Sequence, residues 1–122
     1  MKSCPKISPA EWDVMKAVWA GSPILARDVV DRLAVTHKWH AKTIRTLLAR
    51  LVAKRVLTFQ KHGRAYVYKP LVRQSDCVRA ECDAFVDRVF DGAIGPMFAH
   101  FLDHRKIPEA DLRELRQRLR KK

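Results

Sequence analysis

Apolar residues recur along the first half of the chain at two different periods, and the switch between them divides it into elements. Ser8-Pro9-Ala10-Glu11 has the form of a capping box with proline at the first helical position. Behind it Trp12, Met15, Val18 and Trp19 keep the spacing of one helix face, and Gly21 stands where a helix end is expected. Val29, Val30 and Leu33 predict a second helix over about 25–33. Ile44, Leu47, Leu48, Leu51 and Val52 form the unbroken stripe of a third, over about 41–54. The period then drops to two. Val56-Leu57-Thr58-Phe59 and Ala65-Tyr66-Val67-Tyr68 predict short strands around a basic turn at 60–64, where Gly63 permits a tight reversal and Pro70 closes the second strand. Helix, helix, helix, hairpin is the order of a winged helix-turn-helix.

Past Pro70 the helical period returns. Ser75 is placed to cap a helix running to about Phe90, with Val78, Cys82, Phe85, Val86, Val89 and Phe90 on one stripe; Asp91-Gly92 breaks it. Ile94, Met97, Phe98, Phe101 and Leu102 predict a fifth helix. Leu112, Leu115 and Leu119 predict a sixth from near Pro108, with Glu109 and Arg113, and Glu114 and Arg118, at favourable i, i+4 spacing. The fold expected is mainly α: a winged helix-turn-helix with a small β-hairpin wing over 1–72, then an α-helical dimerisation region over 73–122. In 122 residues such apolar stripes meet a partner chain more readily than they build a second independent core. An intramolecular core is the alternative.

Charge adds a partner. The chain carries 25 Lys and Arg against 13 Asp and Glu, a formal +12. Residues 1–72 hold 14 basic and 4 acidic side chains, whereas 73–122 are nearly balanced. Between Asp31 and Asp76 there is no acidic residue and there are eleven basic ones. A folded segment of one sign repels itself unless a polyanion answers it, so nucleic acid is the expected partner. The opening residues show no apolar leader core, and no run approaches the length of a membrane span. Cys4, Cys77 and Cys82 are too few and too irregular for a disulfide framework, which suits a reducing cytoplasm.

The third helix presents Lys42, Thr43, Arg45, Thr46, Ala49 and Arg50 opposite its apolar stripe. A helix fits the DNA major groove, threonine offers a methyl or a hydroxyl to base edges, and arginine forks onto guanine. Lys61, His62 and Arg64 at the hairpin tip suit phosphates, as do Trp39, His40 and Lys54 at the ends of the third helix. Trp39 could equally close the core beside Trp12 or Trp19. Tyr66 and Tyr68 read as packing residues, with base stacking the alternative.

Three ordered motifs carry a family resemblance. Ile7-Ser8-x-Ala10-Glu11-Trp12-x-Val14-Met15-x-x-x-Trp19, Trp39-x-x-Lys42-Thr43-Ile44-x-Thr46-Leu47-Leu48-x-Arg50-Leu51 and Gly63-Arg64-x-Tyr66-x-Tyr68-x-Pro70 resemble the opening, recognition helix and wing of the BlaI/MecI/CopY repressors. The likeness continues through Phe85 and Phe90-x-Gly92 to about Leu102. It implies a homodimeric winged-helix repressor on a palindromic operator, often of β-lactam-resistance or copper-handling genes. It carries base reading onto Lys42, Thr43, Thr46 and Arg50, backbone contact onto Arg64, and dimerisation onto the C-terminal helices. In the β-lactam-responsive branch a membrane sensor-protease pathway leads to cleavage before a phenylalanine, here between His100 and Phe101. Those members carry asparagine where this chain has His100. The copper branch ends in a cysteine cluster, and the tail Arg116-Gln117-Arg118-Leu119-Arg120-Lys121-Lys122 has none.

Other classes find less support. His100 and His104 share i, i+4 spacing, but no tight cysteine pair accompanies them and Cys82 sits on an apolar stripe where a buried thiol is ordinary. No metal or cofactor is expected. No phosphate loop, zinc-protease motif or nucleophile elbow is present, so an enzyme is not expected either. The rivals are a sequence-tolerant architectural DNA-binding protein and a protein-interaction module on a winged-helix scaffold.

Overall fold

Ser8 starts the first helix as its sequence demands. In the computed structural model, which describes residues 4–122, the Ser8 amide donates to Glu11 Oε1 at 2.8 Å and the Glu11 amide donates back to Ser8 Oγ at 3.2 Å. Two orphan donors of helix α1 (Pro9–Gly21) are thereby satisfied. The leaderless reading of the chain start rests partly on residues 1–3, which lie outside the described residues.

Helices α2 (Ala26–Thr36) and α3 (Ala41–Ala53) follow. Helix α2 runs three residues past the predicted Leu33. Its apolar period ends there, but Thr36 Oγ1 donates to the Arg32 carbonyl at 2.9 Å and the helix continues. Met15, Val18, Val29, Leu33, Ile44, Leu48 and Leu51 interlock between the three helices, nearly all fully buried. Each such side chain contributes roughly 1.5–3 kcal/mol of burial, so Leu48→Ala costs about 2–5 kcal/mol. Helix α3 ends in a Schellman turn. Val56 N donates to Leu51 O, Arg55 N donates to Val52 O, both at 3.0 Å, and Arg55 takes φ +63° where glycine is usual.

The hairpin is longer than predicted. Strands β2 (Leu57–His62) and β3 (Ala65–Pro70) pair antiparallel, Leu57 opposite Pro70 and His62 opposite Ala65, so only Gly63 and Arg64 form the turn. Gly63 sits at φ +63°, which a Cβ would strain. A third strand appears that the sequence did not predict: β1 (Ile24–Leu25) pairs with Tyr68 and Val67, giving the order β1-β3-β2. Two residues carry no periodicity, and the strand exists because β3 offers a free edge.

The cysteines depart from the expectation of free thiols. Cys4 and Cys77 form a disulfide with Cα atoms 5.2 Å apart. It is Cys77, 1% exposed, that joins the core, whereas Cys82 is exposed rather than buried. Trp19 Nε1 donates to the Val72 carbonyl at 3.0 Å, holding the segment after the hairpin against α1.

Helix α4 (Gln74–Phe90) begins one residue ahead of Ser75, which is therefore inside the helix and not its cap. The chain divides into two compact units, one ending at Ala80 and the other spanning Glu81–Lys122. In the second, Asp91 and Gly92 at φ +52° and +82° end α4, and α5 (Ile94–His104) and α6 (Glu109–Arg120) complete it. Arg118 Nη2 pairs with Glu114 at 2.9 Å as expected. Glu109 instead meets Arg116 at 3.9 Å, two turns along the same face, and not Arg113. Among the described residues no helix is long and apolar enough to cross a membrane.

Candidate nucleic-acid interface

Packing decides what α3 shows to solvent. With Ile44, Leu47, Leu48 and Leu51 turned into the core, Lys42, Thr43, Arg45, Thr46, Ala49 and Arg50 are all exposed. Thr46 Oγ1 donates to the Lys42 carbonyl at 3.0 Å, which satisfies its proton locally and leaves its methyl and oxygen lone pairs free for a partner. The wing continues this surface. Lys61, His62 and Arg64 are exposed around the Gly63 turn, and Lys61 Nζ lies 5.8 Å from the centre of the Tyr66 ring. The aromatic side chains of the hairpin pack on one another: Phe59 lies 5.3 Å from Tyr66 and 5.8 Å from Tyr68 between ring centres.

Between α3 and the wing lies a cavity of about 540 Å³ that the sequence reading missed. Leu25, Ala26, Ala65, Tyr66 and Tyr68 line it together with Arg27, Arg45 and Arg64. Among the described residues none of the three guanidinium groups has a hydrogen bond or ion pair. Burial pushes the Tyr68 hydroxyl above its usual range and Tyr66 adds to this, against the opposing pull of Arg45, so the phenol remains a neutral donor. The backbone donors at the α2 start have no side-chain cap, since Leu25 is the N-cap residue. The arrangement suits an anion. Arg27 gives little signal in the linear order, because Asp28 beside it in the first turn of α2 already answers the helix dipole.

Not every predicted contact residue faces this surface. Lys54 donates to Glu11 Oε1 at 2.5 Å and to the Lys6 carbonyl at 3.0 Å, so its ammonium is engaged within the fold. Burial pushes the Glu11 carboxyl up, but the hydrogen bonds from Lys54 and Ser8 outweigh it and hold the group below its ordinary value. Trp39 is half-buried against the core with its ring 4.7 Å from that of His37, rather than beside Trp12 and Trp19, which pair with each other at 5.6 Å. His40 is exposed at the N-cap of α3.

No residue of α5 or α6 is buried, and Cys77, which belongs to the first unit, is the one buried residue of α4 among those described. Val78, Cys82, Val89, Ile94, Phe98, Leu102, Leu115 and Leu119 are exposed, with Phe98 at 47% and Leu102 at 57%. Phe85, Val86, Phe90, Met97, Phe101 and Leu112 are only half-buried. His100 and Phe101 lie within α5, where the His100 ring stacks on that of His104 at 4.5 Å.

The sequence pattern of the penicillinase repressor family matches residues 7–121. The penicillinase repressor of Bacillus licheniformis is 37% identical over 117 residues, 96% of this chain and 91% of that protein. The methicillin resistance regulatory protein MecI of Staphylococcus aureus (strain N315) is 30% identical over 96% of this chain and 95% of its own length. Among solved structures, the DNA-binding domain of the repressor BlaI matches at 45% identity with a TM-score of 0.56, covering 62% of this chain and 93% of that one. The monomeric form of Bacillus licheniformis BlaI in complex with the blaP half-operator matches with the same identity, TM-score and coverage.

Proposed function

The chain belongs to the penicillinase repressor family, and we propose that it represses transcription as a homodimer on a palindromic operator. The observation that carries this is the exposed face of α3, continuous with a basic wing and free of any acidic side chain. Lys42, Thr43, Thr46 and Arg50 read base edges in the major groove. Arg45, exposed on the same face of α3 and lining the cavity, is a further base-reading candidate. Arg64, Lys61 and His62 seat the wing on phosphates, with Trp39 and His40 near the backbone at the start of α3. Lys54 holds the fold that presents these groups.

The exposed apolar stripes of α4, α5 and α6 form the dimer contact, and two linked half-site bindings then exceed either alone. The dyad of the dimer predicts half-sites separated by about one or more helical turns. Target genes of the β-lactam-resistance class follow from the relatives' names. The protein acts in the cytoplasm. A membrane sensor-protease pathway would cut between His100 and Phe101, and α5 must unwind there before a protease can reach the bond.

The test is to incubate the purified protein with sheared source DNA at moderate salt and sequence what is retained. Sharp enrichment of one or a few dyads is expected. Uniform, salt-sensitive retention would replace the repressor with an architectural DNA binder. Failure to retain duplex DNA would leave a protein-interaction module.

A further inference from the structure

We propose that Cys4 and Cys77 are a reversible dithiol–disulfide couple, which closes the DNA-binding unit into a covalent ring when the thiol pool is oxidised. The geometry supports this first. The two Cα atoms are 5.2 Å apart, within the range a disulfide spans without backbone movement, and the bond joins positions separated by 73 residues. It therefore ties the segment ahead of α1 to the first turns of α4, across the whole winged helix. The burial pattern supports it next. Cys77 is 1% exposed, half-buried Cys4 packs beside it on the core, and Cys82 stands apart in solvent. The resting state depends on the proposed cytoplasmic role: disulfides in a reducing compartment are characteristically transient and redox-sensing, so the pair rests there as the dithiol.

The oxidant is a low-molecular-weight disulfide. The accessible Cys4 thiolate attacks one of its sulfurs, forming a mixed disulfide and expelling one thiolate. The Cys77 thiol loses its proton and attacks Cys4 Sγ, expelling the second. Two protein thiols are oxidised and one small disulfide is reduced to two thiols. Neither cysteine lies in α3 or the wing, so oxidation tightens the reading unit rather than disabling it.

The test uses the full chain carrying Cys82→Ser, which leaves Cys4 and Cys77 as its only thiols. After incubation with oxidised glutathione, titration of the denatured protein should find no free thiol and a monomer on a non-reducing gel. After dithiothreitol it should find two. The melting transition of the winged-helix unit should rise reversibly by about 10 °C on oxidation, and adding Cys4→Ser should abolish that dependence. Two thiols surviving oxidation, a stable glutathione adduct, a cross-link between chains or an unchanged melting temperature would each overturn the proposal. None of these readouts requires DNA, so they stand apart from the operator test.

Discussion

Lys54 and Glu11 join the end of α3 to the start of α1 through one ion pair, in which the Glu11 side chain is 2% exposed and the Lys54 side chain 37%. The same carboxylate completes the capping box with Ser8. Because the pair and the Ser8 hydrogen bonds lower the folded pKa of Glu11, their stabilisation is complete above the ordinary glutamate range. It is lost as pH falls through the folded value. Lys54→Met should cost about 2–3 kcal/mol at pH 7, since it leaves a buried carboxylate without its counter-ion. It should also shrink the loss of stability on acidification. Urea unfolding of both proteins at neutral pH and near pH 4 checks both statements.

Arginines on the same surface should separate by what they touch. Arg50→Ala should lose about 1–3 kcal/mol on an operator and much less on random DNA. Arg27→Ala and Arg64→Ala, which flank the cavity, should weaken binding to every duplex and reduce the salt slope by about one each. Titrations over a range of salt concentrations on both DNAs measure this; an unchanged slope would remove the residue from the phosphate contacts.

Phe98 and Leu102 are large apolar side chains in a unit where nothing is buried. Phe98→Asp with Leu102→Asp should give a monomer by sedimentation. Affinity for a single half-site should be retained, while the advantage of the full dyad, on the order of a hundredfold, should disappear.

Arg55 occupies a left-handed position at φ +63° behind α3. Arg55→Gly should raise stability by up to about 1 kcal/mol, because the Cβ penalty there exceeds the added freedom of the unfolded glycine. Thermal unfolding with and without the substitution decides it.

Where local chemistry alone specifies an element, the sequence was enough: Ser8 and Glu11 start α1, and the stripe from Ile44 to Leu51 determines which side of α3 meets solvent. Elements that depend on distant partners were not readable. Ile24 and Leu25 become a strand only because β3 lies alongside. Cys4 and Cys77 are 73 positions apart, and no spacing rule joins them. Lys54 looked like a free cation because Glu11, 43 residues earlier, cannot be paired with it from the linear order. Arg27 is likewise silent in the linear order, since Asp28 shares its helical turn and only the fold brings it to one cavity with Arg45 and Arg64.

The short clip of β1 onto β3 has a mechanical consequence. Leu25 pairs with Val67 on the strand that leads out of the wing turn, and Arg27 follows two residues later. The hairpin therefore cannot swing without dragging the start of α2 along. Arg27 and Arg64 behave as the two jaws of a caliper set at one opening. In the proposed complex a duplex whose groove does not match that opening bends or narrows, and binding then varies with DNA stiffness at base pairs the protein does not touch.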